Sequence, residues 1–206
     1  MNHSRASRRQ LGEKGNSTIE FALFVMAGLA LMLGGADLVN YMRARMQLDQ
    51  VSSNLAANIT TYKQLYAGDF PGLYTLAQQT AGAIDVTSTN GATVFTGITN
   101  PNGTPTIAWR QQTGNASYTS ALGGVGGTPQ NLPDSYAIPA GSSVIAVEVF
   151  SAIHPWIYNV GFTKTPGPAT LTSISLFQPR AALLSQITAG NRPWWDFREA
   201  AGVASV

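Results

Sequence analysis

The chain has 206 residues, only 11% of them charged, and no cysteine. That length allows one domain with a core, or a small domain plus an anchoring helix; the missing thiol excludes a disulfide framework, a thiolate metal site and a lipid-modified N-terminal cysteine. The formal charge of +2 is unevenly placed. Arg5, Arg8, Arg9 and Lys14 precede the first apolar run with Glu13 as the one acid among them, leaving eight basic and nine acidic residues after residue 15, so a nucleic-acid partner is not expected.

The run 21–36 reads Phe-Ala-Leu-Phe-Val-Met-Ala-Gly-Leu-Ala-Leu-Met-Leu-Gly-Gly-Ala, sixteen residues without a charge, and 19–39 extends it with Glu20 and Asp37 near the two ends. As a helix, the longer segment covers roughly 30 Å, about the thickness of bilayer hydrocarbon. A buried core helix is the alternative, but it needs protein on all sides, and the mostly polar remainder is a poor wrapping. The four basic residues before the run, against Arg43 and Arg45 after it, place the N-terminus in the cytoplasm and the C-terminal bulk outside.

Beyond the apolar run, Tyr41, Ala44, Leu48, Val51, Leu55, Ile59, Tyr62 and Leu65 recur at spacings of three and four, which predicts that the helix continues, now amphipathic, to about Tyr66. At its start, Ser17 followed by Glu20 fits a capping box, with Ser17 as the helix cap. An acid beside a spanning segment is costly, so Glu20 also invites a partner.

Basic leader, Gly15, four intervening residues, Glu20-Phe21 and an apolar run together resemble the prepilin-peptidase junction of type IV pilins and pseudopilins. The runs Ser17-Thr-Ile-Glu-Phe-Ala-Leu, Gly34-Gly-Ala-Asp-Leu and Tyr41-Met-Arg-Ala-Arg-Met-Gln-Leu resemble the TadE/TadG-like minor pseudopilins of the tight-adherence (Tad/Flp) pilus system. The similarity is dense over residues 12–60 and loose beyond. It implies cleavage by a prepilin peptidase between Gly15 and Asn16. Glu20, now the fifth mature residue, would pair with a neighbouring subunit's N-terminal amine, with Phe21 beside it at the assembly surface. Leu23, Leu29 and Leu33 would pack first on lipid and then on neighbouring helices. The implied setting is the bacterial inner membrane, and the implied partners are the peptidase, other pilin or pseudopilin subunits and the pilus assembly platform. One departure is that no proline interrupts the apolar run, the first after the leader being Pro71.

The expected organisation is a basic cytoplasmic leader (1–15), a transmembrane helix (16–40), its extracytoplasmic continuation (41–66) and an extracytoplasmic α+β domain (67–206). A competing processing model cuts a secretory signal after the small residues Gly34-Gly-Ala36 and frees a soluble domain. In the globular part a short helix is expected over 73–84 and strands over 93–98, 106–111, 143–152 and 169–177. Along 144–151, Val144, Ala146, Glu148 and Phe150 alternate with Ile145, Val147, Val149 and Ser151, one mixed face and one apolar. A small antiparallel sheet packed on the amphipathic half of the long helix gives an α+β fold. The Gly- and Pro-rich stretch 112–142 reads as a long surface loop, and its Gly123-Gly-Val-Gly-Gly lacks the Lys-Ser/Thr of a phosphate cradle. Aromatic runs at 154–158 and 193–198 are expected to plug the core edge or meet a partner.

Chemistry is sparse. The two histidines, His3 and His154, with scattered acids make no zinc or calcium pattern. Neither Gly-x-Ser-x-Gly nor Ser-x-x-Lys occurs. No catalytic residue, metal or cofactor is expected, and the reading is a non-enzymatic pilus-assembly component. The alternatives are a signal-anchored or exported envelope binding module without prepilin processing, or an exported hydrolase dependent on His154 or the acids. Asn-x-Ser/Thr triplets at Asn16, Asn58, Asn102 and Asn115 are explained by composition.

Overall fold

The computed structural model describes residues 4–153, 169–179 and 186–193, with side chains described from residue 17 onward except at 169. His154 with the aromatic run after it, the aromatics of 194–198, Asp196 and Glu199 lie outside the described residues. The chain divides into two units, one containing residues 1–42 and 154–167, the other 43–153 and 168–206.

The first unit contributes the N-terminal part of helix α1, which spans Ser4–Ile59. Every residue from 17 to 36 is exposed, including Phe24 at 77% and Leu31 at 78%. Apolar side chains turned outward on all sides are incompatible with the buried core helix considered above. Ser17–Ile59 is the one helix among the described residues long and apolar enough to cross a membrane.

The second unit is an α+β domain. Strands β2 (Gly91–Asn100), β3 (Thr106–Gly114), β4 (Ser142–Ile153) and β5 (Ala169–Phe177) form an antiparallel sheet in the order β3-β2-β4-β5. The amphipathic part of α1 lies on it, as the three- and four-residue spacing demands: Leu48, Val51, Leu55 and Ile59 are buried with Ile145, Val147 and Val149 of β4 and Phe95 of β2. Each such side chain contributes roughly 1.5–3 kcal/mol by leaving water. Polar contacts join the same layer to β5, where the Ser52 hydroxyl meets those of Ser173 (2.9 Å) and Ser175 (2.8 Å), and Ser173 donates to Asp49 Oδ1 (2.6 Å).

Helix α1 ends at Ile59, seven residues before the expected Tyr66. The chain changes direction where short polar side chains compete with the helical ladder: the Thr60 and Thr61 hydroxyls donate to the carbonyls of Ala57 (2.8 Å) and Asn58 (2.7 Å). Leu65 and Tyr66 instead form a short strand β1 that pairs in parallel with β6 (Ile187–Thr188). Helix α2 covers Phe70–Ala81 rather than 73–84. Pro71 suits its first turn, and Gly82 ends it at φ +60°, its N–H donating to the Gln78 carbonyl. Phe70 packs edge-on against Phe95 and Trp109. The Trp109 ring lies over Gly97 so closely that a Cβ there would collide with it.

The stretch read as a surface loop does more than connect β3 to β4. Its Leu122 and Ile138 are buried against Ile98, Ile107, Val144 and Ala146 on the sheet face opposite the helices, and Tyr118 stacks on Phe150. Gly126 and Gly127 exchange backbone hydrogen bonds with Ile107 at the β3 edge. Residues 115–141 thus form an irregular third layer, which explains why the mixed face of β4 can be buried at all.

Candidate functional site

The residues that the sequence marks for processing and assembly fall on one stretch of α1. Gly15 and Asn16 lie in helical backbone, and Ser17, Glu20 and Phe21 are exposed. The helix passes through Ser17 from Ser4, so in the uncut chain Ser17 is not at a helix start, and the expected capping box has no helix end to satisfy. Glu20 lies one residue ahead of the uncharged run 21–36, and Phe21, 69% exposed, stands beside it. This arrangement can do one thing well: present a negative charge and a broad apolar surface to lipid or to another helix.

Two polar centres inside the second unit were not read from the sequence. The first surrounds Glu148, fully buried on β4 between Val94 of β2 and Ile174 of β5. Its carboxylate accepts hydrogen bonds from the Ser120 hydroxyl and from the Ala121 N–H (3.0 Å), both in the 115–141 layer. Burial pushes the Glu148 carboxyl above its usual range; the two hydrogen bonds and the Arg110 charge pull it partly back. Arg110 Nε donates to Thr96 Oγ1 (3.2 Å), while its Nη2 is buried without a hydrogen-bond partner among the described residues. The signal for this centre was a lone acid in Val-Ile-Ala-Val-Glu-Val-Phe, a setting that only a satisfied carboxylate tolerates.

The second centre joins distant parts of the chain. Arg192 Nη2 bridges Asp69 Oδ2 at 2.9 Å, with side chains only 7% and 10% exposed, and donates to the Gln64 carbonyl at 2.9 Å. Its guanidinium lies 4.8 Å from the Tyr62 ring centroid and 5.3 Å from that of Tyr66. Burial and the Asp69 charge raise the Tyr62 phenol, against the lowering effect of Arg192. No local pattern links residues 69 and 192, so the sequence carried no sign of this pair.

An open depression of about 940 Å³ also lies in this unit, bordered among the described residues by Thr99, Trp109, Gln111, Ser143 and Gln186. Its described lining bears no charged side chain. Among the described residues no group of three His, Asp or Glu side chains could hold a metal ion. Asp85 is engaged locally, capping the turn before β2 through Thr87, Ser88 and Asn90, and those hydrogen bonds hold its carboxyl below the usual range against burial, which acts to raise it. The serine cluster of Ser52, Ser173 and Ser175 faces Asp49. No protein-family model, curated protein or solved structure matches the chain.

Proposed function

We propose that the chain is a non-enzymatic minor pseudopilin or pilus-assembly component of a bacterial inner membrane. In this reading a prepilin peptidase cleaves after Gly15, the leader stays cytoplasmic and the α+β domain stands outside. The observation that carries it is the exposed apolar segment of α1 with Glu20 at its head, five residues after Gly15. Such a surface requires lipid before assembly, and helices of neighbouring subunits serve it equally well afterwards. A carboxylate costs about 2.5–3.5 kcal/mol at mid-bilayer and less near an interface; a neighbouring subunit's N-terminal amine offsets that cost by ion pairing. Glu20→Ala should therefore leave membrane insertion intact, as judged by alkaline extraction, and reduce recovery of the protein with its partner subunits after crosslinking. Undiminished recovery would remove Glu20 from assembly.

The uncharged depression beside Trp109 favours a second reading, a membrane-anchored envelope binding module in which Glu20 has no assembly role. It requires no processing at Gly15.

A further inference from the structure

We propose that Asn102 is a self-modification site, converting through a succinimide to aspartate or isoaspartate, while the fold protects the chemically equivalent Asn90. The sequence contains two Asn–Gly pairs, Asn90–Gly91 and Asn102–Gly103. In such a pair the glycine nitrogen, after losing its proton, attacks the asparagine Cγ. A C–N bond forms, and the side-chain amide leaves as ammonia with the proton. Water then opens the ring at either carbonyl, giving aspartate or isoaspartate with no change of oxidation state. Glycine is the favourable neighbour because no side chain obstructs the approach.

The two pairs differ in what holds them. Asn102 and Gly103 are exposed in the turn between β2 and β3. Gly103 has φ +88° and no atom within 4 Å of where a Cβ would stand, so the backbone can rotate into the ring-closing geometry. Asn90 is fastened on three sides. Its N–H donates to Asp85 Oδ2 (2.8 Å), and its carbonyl accepts from the Ala152 N–H (2.7 Å) and the Tyr118 hydroxyl (3.2 Å). Gly91 is buried as the first residue of β2, opposite Ser151, and a Cβ on it would collide with the Asp85 carbonyl. Ring closure at Asn90 would break this set.

The consequence is a new charge at a defined place. Pro101, adjacent to Asn102, borders the 940 Å³ depression, whose described lining is uncharged; each conversion sets a carboxylate beside that rim.

The test is peptide mapping of the full chain in detergent, aged at neutral and mildly alkaline pH, with a chain aged in denaturant as control. Both pairs fall in one tryptic fragment, between Lys63 and Arg110, so fragmentation compares them within the same molecule. In the native protein Asn102 should convert about tenfold or more faster than Asn90, which reacts only through local opening. Denaturant should bring the two rates together, and Asn102→Gln should abolish the native signal. Equal native rates, or no native conversion at Asn102 while the denatured chain converts, would overturn the proposal.

Discussion

A carboxylate placed in the middle of a sheet is tolerated only when its oxygens are satisfied, and Glu148 meets that condition through a hydroxyl and an amide of the same overlying segment. Its folded-state carboxyl titrates above the ordinary range because burial disfavours the ionised form. The native state therefore holds its proton at pH values where the unfolded chain has released it. Stability should fall as pH rises from the ordinary carboxyl range through the folded-state value, and level off above it. Glu148→Gln retains an acceptor for Ala121 and a donor for Ser120, so it should flatten this dependence while leaving the domain folded. The thermal midpoint of the detergent-solubilised chain, followed across the acidic to neutral range, checks it. An unchanged slope in the variant would assign the pH dependence to another group.

Legibility was uneven among residues for a physical reason. The alternation in β4 exposed Glu148 as an acid on a mixed face, but its partners Ser120 and Ala121 sit in a Gly-rich stretch with no periodicity, and only tertiary structure brings them there. Gly15, Asn16, Glu20 and Phe21 were picked out by local order in the chain, and the structure shows of them that they lie on one stretch of α1.

At the level of elements, those built on local periodicity were foreseen: the long helix and all four strands of the main sheet, with shifts of a few residues at their ends. Helix α1 was read too far because Tyr62 and Leu65 continue the apolar spacing, whereas the Thr60 and Thr61 hydroxyls turn the chain first. The β1–β6 pair was not foreseen, since two-residue strands more than a hundred residues apart leave no pattern. Beside that pair lie the Arg192–Asp69 bridge with its flanking tyrosines and the Gln64–Thr188 and Gly68–Gly190 hydrogen bonds. Arg192→Met would leave a buried carboxylate without its cation, a loss of about 3–5 kcal/mol. Amide hydrogen exchange should then accelerate at Leu65, Tyr66, Ile187 and Thr188 more than in the main sheet. Uniform acceleration would mean that the bridge stabilises the domain as a whole rather than this pair.

For the whole molecule, the two units have opposite relations to solvent. The α+β unit buries its apolar side chains on both faces of one sheet, and the N-terminal part of α1 buries none of its own from 19 to 36. A helix of that kind is long and apolar enough to cross a membrane, which is why the functional reading turns on what surrounds it and how its N-terminus is made. The central claim is that the mature chain starts at Asn16, and the most direct test is the N-terminal sequence and intact mass of the protein recovered from membranes, with and without Gly15→Val. The account predicts a start at Asn16 that is lost in the variant. An intact N-terminus, or a start at Asp37, would contradict it and leave a signal-anchored or an exported domain in its place.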